Sequence, residues 1–287
     1  TRDGGGSWTN VTENIPNFSP MGIISNIESS RYEAGTCYIS VDFHNANIRD
    51  PYAYRTTDYG KSWKLITSDI PKSELSYVHC IREDPVQKGL LYLGTENSLY
   101  FSFDDGANWA PLQNNLPHAP VHWLVIQEHF NDLVVGTYGR GFWILDDITP
   151  FQQLTPEIMK SDAHLFAPRP AYRFRRISAP MGYPDDQSLG QNPPEGASIN
   201  YYLREAPEKD VKIIILDEKG DKIRTLKGTK KAGINKIWWN LRDEPSQDVK
   251  LRTSPIGYPW VKVGPKGWRA LRGSGSPIRI LRAPGTY

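Results

Sequence analysis

What the chain has little of narrows it first. Among 287 residues there are two cysteines, Cys37 and Cys80, which make no disulfide framework and stand at no metal-ligand spacing. Both fall in apolar, strand-like runs, which predicts buried free thiols; a single bridge between neighbouring strands is the alternative. No stretch reaches the roughly 20 apolar residues of a membrane helix, so no transmembrane segment is expected. The opening Thr1-Arg2-Asp3-Gly4-Gly5-Gly6 lacks the basic-then-apolar pattern of a signal peptide; either the protein is not exported or that segment lies outside this chain. No phosphate-binding loop, zinc spacing, Ser-His-Asp signature or EF-hand loop occurs. The histidines His44, His79, His118, His122, His129 and His164 show no metal spacing. His118 and His122 lie four apart, but Pro120 between them excludes a shared helix face. No metal and no cofactor is expected.

What is abundant is turn formers and rings. Gly 24 and Pro 23 are spread along the chain, as for many short strands joined by tight turns, and nine Trp, fifteen Tyr and nine Phe supply core volume. The net charge of +2 hides an asymmetry. Residues 1–150 hold 10 Lys/Arg against 18 Asp/Glu, and residues 151–287 hold 24 against 14. Opposite signs in the two halves predict two domains that attract one another.

A repeat organises the first half. Thr1-Arg2-Asp3-Gly4-Gly5-Gly6-Ser7-Trp8, Thr56-Thr57-Asp58-Tyr59-Gly60-Lys61-Ser62-Trp63 and Ser102-Phe103-Asp104-Asp105-Gly106-Ala107-Asn108-Trp109 share the pattern Ser/Thr-x-Asp-x-Gly-x-x-Trp. The aspartates are 55 and 46 residues apart, near the roughly 40–50 residues of a four-stranded propeller blade. The pattern has a physical reason. A turn carboxylate accepts hydrogen bonds from backbone N–H groups about two residues on. Gly5, Gly60 and Gly106 permit positive φ, and Trp8, Trp63 and Trp109 open the next strand and pack. Period-two runs fit strands at 22–28, 36–43, 52–56 and 63–66, then at 77–82, 90–94, 99–103 and 109–112. A third set follows at 121–127, 133–137 and 141–145, without a box.

These segments resemble the Asp-box (bacterial neuraminidase, BNR) repeat of sialidases, sortilin-type propellers and xyloglucanase-like propellers. There the box is structural and sits on the hairpin between a blade's third and fourth strands. The run from Asp132 to Asp147 is similar to the last blade of large bacterial sortilin-like, glycosyl-hydrolase-like propellers, and His164-Leu-Phe-Ala-Pro-Arg-Pro170 to the segment leading out of it. The resemblance implies an all-β chain, with a partial β-propeller of about three four-stranded blades followed by an immunoglobulin-like β-sandwich. Because Trp8 opens only the last strand of an earlier blade, and closed propellers need four or more, the remaining blades are expected from a longer precursor or from another chain. Extracellular, periplasmic or cell-envelope location is implied by the resemblance alone.

Residues 1–150 are thus read as the C-terminal blades of the propeller, 151–194 as a Pro- and Arg-rich linker, and 195–287 as the sandwich with a basic arm. Strands are expected at 199–204, 211–217, 222–226 and 234–241, with a hairpin turn at Asp217–Asp221. Ala283–Tyr287 reads as the entry to a last strand pair. Residues 249–287 carry eight Lys/Arg and no acid, interleaved with Tyr258, Trp260 and Trp268. Such a mix suits a nucleic acid or an anionic glycan, but Gly and Pro break any periodic strand here. With no nucleic-acid motif, an arm lying on the propeller or on a partner is preferred, and no nucleic-acid partner is expected.

In the family, ligands lie on the face opposite the boxes, at first-strand entries and at turns between second and third strands. Here those positions hold His44, Asn45, Asn47, Arg49 and Asp50; Glu96 and Asn97; Tyr138 and Arg140; and the entries Lys72, Glu74, His118 and His122. Sialidase chemistry needs three arginines, a Tyr–Glu pair and an acid. Arg49, Arg140, Tyr138 and Glu96 fall short of that set. A glycosidase needs two carboxylates across the scissile bond, for which Glu96 with Asp50 or Glu74 are the candidates. Arg82-Glu83-Asp84-Pro85 and Asp146-Asp147 read as turns. The leading expectation is a non-catalytic binding protein with a protein or glycan ligand on this face. The alternatives are a sialidase- or xyloglucanase-like glycoside hydrolase and a subunit of a larger envelope assembly.

Overall fold

The computed structural model describes residues 1–173, 190 and 192–244, with the backbone of three short strands beyond them. Two compact units are present, Thr1–Gln153 and Leu154–Tyr287. The protein is all-β in character, and the first unit is a run of antiparallel meander sheets, the blades of a partial β-propeller. The first sheet contains β1 (Ile23–Ser29), β2 (Cys37–Asp42), β3 (Tyr52–Thr56) and β4 (Lys64–Leu65) in chain order. The second contains β5 (Val78–Glu83), β6 (Leu91–Thr95), β7 (Leu99–Ser102) and β8 (Ala110–Pro111). The third has β9 (Val121–Gln127), β10 (Asp132–Thr137) and β11 (Phe142–Leu145).

Alternation along these strands divides the side chains between neighbouring sheets. Leu91 and Leu93 of β6 join Tyr38, Ala53, Val78 and Ile81 in a core between the first and second sheets. Tyr92, pointing the other way, joins Cys80, Leu124, Leu133 and Val135 in a core between the second and third. Each fully buried large apolar side chain stabilises by about 1.5–3 kcal/mol, so these rows hold the sheets together. Polar stitches run along the first strand of each sheet. Asn26 Oδ1 accepts from the Ile81 N–H at 2.9 Å and from Arg82 at 3.0 Å, while Arg82 also reaches Glu28 at 3.1 Å and the Leu124 carbonyl at 2.9 Å. Both cysteines are free thiols, Cys37 half-buried and Cys80 buried, and burial pushes their pKa values up to about 11 and about 12.

All three repeat segments fold into one hydrogen-bonded turn. In the second, Thr56 Oγ1 donates to Asp58 Oδ1 at 2.8 Å and accepts from the Gly60 N–H at 2.9 Å. Asp58 also accepts from the Ser62 N–H at 2.9 Å and the Ser62 hydroxyl at 2.6 Å. The same four-bond pattern recurs around Asp3 and, with the Asn108 side-chain amide in place of the serine hydroxyl, around Asp104, within about a tenth of an ångström. The carboxylate therefore reaches the N–H four residues on, whereas the sequence suggested two. The reason is a left-handed pair, Tyr59 and Gly60 (φ +63° and +79°) or Asp105 and Gly106 (+58° and +82°), which curls the chain back over the carboxylate. Trp109 donates to the Ile66 carbonyl at 2.6 Å and packs in the core between sheets, and Trp63 packs with Ile15 and Phe43. Trp8 departs from the expectation: it is 79% exposed and no strand follows it before the 3-10 turn at Thr12–Asn14.

The first unit ends with helix α1 (Thr149–Gln153), whose Gln152 donates to the buried Asp84 carboxylate at 3.2 Å. Asp84 also accepts from the Val86 and Gln87 N–H groups at 2.8 and 2.9 Å, closing the turn after β5.

The expected linker is in part regular. The second unit opens on α2 (Pro156–Lys160), N-capped by Thr155 with Pro156 in its first turn, and on β12 (Ala163–Leu165). The Pro-rich reading misses these because Pro favours a helix start as much as a loop. Strand β13 (Ala197–Leu203) lies between β12 and β16 (Gly233–Trp239), and β14 (Lys212–Leu216) pairs with β15 (Lys222–Lys227). Asp217 accepts from the Lys219 and Asp221 N–H groups at 3.0 and 2.9 Å to close that hairpin. Ile199, Ile215, Ile223 and Trp239 form a core common to the two sheets. Strands β17 (Asp248–Lys250), β18 (Trp260–Gly264) and β19 (Gly267–Arg269) make a further antiparallel sheet. Regular strands thus occur where Gly and Pro were expected to break them, since the alternating Trp260-Val261-Lys262-Val263 run sits between the breakers. Pro180, Pro184 and Ala283–Tyr287 lie outside the described residues.

Candidate functional site

The first strands β1, β5 and β9 share an irregularity that builds the site. In each, one residue is skipped by the pairing register. Ile24 and Asn26 pair across Ser25, Val78 and Cys80 across His79, and Val121 and Trp123 across His122. A bulge of this kind adds one residue and re-aims its side chain. The effect is visible in the core: Val78 and Cys80, two apart, face opposite sheets. Ser25, His79 and His122 therefore hold equivalent places in three consecutive blades, at the end opposite the Asp turns.

Rings line up across this end. His79 and His122 stack with centroids 4.1 Å apart and 27° between planes. His122 stacks in turn on Tyr138 at 5.5 Å, and Tyr77 meets His79 edge-on at 5.2 Å and stacks on His44 at 5.3 Å. The row His44, Tyr77, His79, His122, Tyr138 crosses all three sheets. It runs from the buried Tyr77 to the 73% exposed Tyr138.

Carboxylates fix the row. Glu96 Oε2 lies 2.7 Å from His79 Nε2, and the Glu96 N–H donates to the Tyr77 carbonyl at 3.1 Å. Burial and a hydrogen bond to Glu96 push the Tyr77 phenol up to about 12. Asp42 Oδ2 lies 2.5 Å from His44 Nδ1, while its other oxygen accepts from the His44 N–H at 2.8 Å. Burial, reinforced by the neighbouring His79, holds the His122 imidazole below its usual pKa.

Of the sequence-derived candidates, the structure gathers His44, Glu96, His122 and Tyr138. It draws Arg49 to Glu74 at 3.2 Å and Lys72 to Asp50 at 2.5 Å, so Asp50 and Glu74 are engaged apart from the Glu96 cluster. Asn45, in the 3-10 turn His44–Ala46, is exposed, as are His118 and Arg140 in their loops, and Asn97 is half-buried. Asp42, Tyr77 and His79 were missed because they read as strand residues. A signal was present: Val78-His79 and Val121-His122 are one dipeptide repeated 43 residues apart, close to the box spacing.

His79, Glu96 and His122 each offer one ligand atom, and these atoms lie within 4.8 Å of one another. No helix among the described residues is long and apolar enough to cross a membrane.

No protein-family model matches the chain, and no curated protein does. Among solved structures the chain is similar to a GH74 xyloglucanase from Xanthomonas campestris, at 13% identity and TM-score 0.33 over 89% of this chain and 54% of that one. It is also similar to YCF48 bound to D1 peptide, at 13% and 0.32 over 80% and 58%. A third is an ancestral GH74 enzyme, at 14% and 0.33 over 41% and 14%. The chain spans between 14% and 58% of the length of these neighbours.

Proposed function

We propose that this chain is part of a secreted or envelope-associated propeller binding protein. In this reading its Ser/Thr-x-Asp-x-Gly-x-x-Trp turns are Asp boxes, its second unit is an immunoglobulin-like sandwich, and further blades come from a longer precursor or another chain. The ligand, a protein segment or a glycan, lies across the ring row His44, Tyr77, His79, His122, Tyr138. The observation that carries the reading is that this face is built of rings while its carboxylates are engaged: Glu96 with His79, Asp50 with Lys72, Glu74 with Arg49. A ring face gives contact area at small entropic loss and accepts both sugars and peptides. A hydrolase needs two carboxylates facing one bond about 5–9.5 Å apart, and the pairing of Asp50 and Glu74 with cations argues against that use.

Glycan and peptide arrays probed with the full chain test this, with Tyr138→Ala and His44→Ala as variants. Retained hits are expected to weaken about tenfold or more in Tyr138→Ala, a loss of about 1.4 kcal/mol. Xyloglucan and sialoside substrates are expected to stay intact. Turnover that disappears in Glu96→Gln would replace the binding reading with the hydrolase.

A further inference from the structure

We propose that His79, His122 and Glu96 form a site for one divalent transition ion, zinc being the ion their chemistry suits best. The expectation from sequence was no metal, because the ligands are distant in the chain. The blade repeat brings them together. His79 and His122 occupy the same bulge position on adjacent first strands, and Glu96 follows β6, the strand paired with β5.

The donor set is two imidazoles and a carboxylate, the combination zinc takes in sites that keep a position open. His79 Nε2 already faces Glu96 Oε2 at 2.7 Å, so an ion takes the place of this direct contact. The three ligand atoms lie within 4.8 Å of one another. A tetrahedral ion about 2.1 Å from each needs donors roughly 3.4 Å apart, so the His79–Glu96 pair, now at 2.7 Å, opens by roughly 0.7 Å while His122 closes in by up to about 1.4 Å. The two rings are stacked with 27° between their planes, and the ring that turns to converge on the ion is His122, the exposed member of the three.

The supports behind the ligands suit a fixed site. Glu96 is held by its N–H, which donates to the Tyr77 carbonyl at 3.1 Å. The backbone of His79 is held by Ser40 Oγ, which donates to its carbonyl at 3.1 Å. Such outer partners orient metal ligands and sustain affinity. Three protein ligands leave at least one coordination position facing the open end of the blades.

The test is titration of the full, chelator-treated chain with zinc chloride by calorimetry, and with cobalt chloride followed by visible absorption. One ion per chain and a cobalt ligand-field band are expected. His122→Ala and Glu96→Gln are each expected to weaken zinc binding by about tenfold or more. Alanine at His118, His129 or His164 leaves it unchanged. Because His122 is exposed, His122→Ala keeps the fold, checked by its melting curve, and decides the matter if Glu96→Gln does not fold. No heat and no cobalt band in the parent chain, or binding unchanged in His122→Ala, overturns the site. Ligand binding by the chelator-treated chain, together with no zinc heat and no cobalt band, leaves the proposed function standing and removes this site alone.

Discussion

At the scale of single residues, the turns around Asp3, Asp58 and Asp104 show how one carboxylate fixes eight residues. Each aspartate is held by a hydroxyl two residues before it and by the N–H and side chain four residues after, and each such bond favours the charged form. The Ser62 hydroxyl and N–H, with Thr56, lower Asp58 from its ordinary 3.8 to about 2. A carboxylate whose folded value is depressed contributes stability that is complete above its unfolded value. That contribution fades as pH falls from about 4 towards 2. Asp58→Asn, which cannot ionise, is therefore expected to melt below the parent at pH 6, with the gap narrowing as pH is lowered to about 2. Melting curves across this range decide it, and a gap independent of pH would show that the charge does not matter. Asp58 is only half-buried, so the gap should also shrink in high salt.

At the scale of elements, the sheets meet through close backbone approach as well as apolar rows. A Cβ on Gly94 of β6 would lie 2.5 Å from the Val121 carbonyl oxygen, 2.6 Å from Val121 Cγ1 and 2.9 Å from Cys80 Sγ. The carbonyl belongs to the first strand of the next blade and cannot move alone. Gly94→Ala is expected to destabilise the first unit by about 1–3 kcal/mol, read as a lower midpoint in urea with an unchanged slope. Alanine at Gly139, where nothing lies within 4 Å of a built Cβ but φ is +79°, separates backbone strain from collision. The strands themselves were legible: alternation at 52–56 and 121–127 coincides with Tyr52–Thr56 and Val121–Gln127, and the other blade strands shift by about one residue. Local periodicity suffices there because each of these strands sets at least one face against a core row. The bulges at Ser25, His79 and His122 were not legible, since a skipped residue depends on the partner strand and not on the residue itself. Reading His79 as one more residue of an alternating strand concealed its contact with Glu96 and His122. Pro156 illustrates the converse, a residue whose local preference fits both a loop and the first turn of a helix.

At the scale of the molecule, the third sheet differs from the first two in what its outer face presents. Leu124, Leu133 and Val135 point inward. On the other face, Val125, Val134 and Ile144 form one cross-strand rung, and Trp123, Gly136 and Phe142 form the next. Phe142 is 84% exposed, Ile144 58% and Trp123 49%. Among the described residues no fourth strand pairs with β11, so its outer backbone edge lies beside this apolar face. An exposed apolar patch next to an unpaired edge favours association. The nearest supply of a matching surface for this chain in isolation is a second copy. The 287-residue chain is therefore expected to self-associate as its concentration rises, seen as an increasing mass by light scattering. The double variant Phe142→Lys with Ile144→Lys should hold it at the monomer mass without lowering its melting temperature by more than a degree or two, because neither side chain contributes to the inner core. A parent chain that stays monomeric at every concentration, or a double variant that associates as the parent does, would show that this face is not what drives the molecule together.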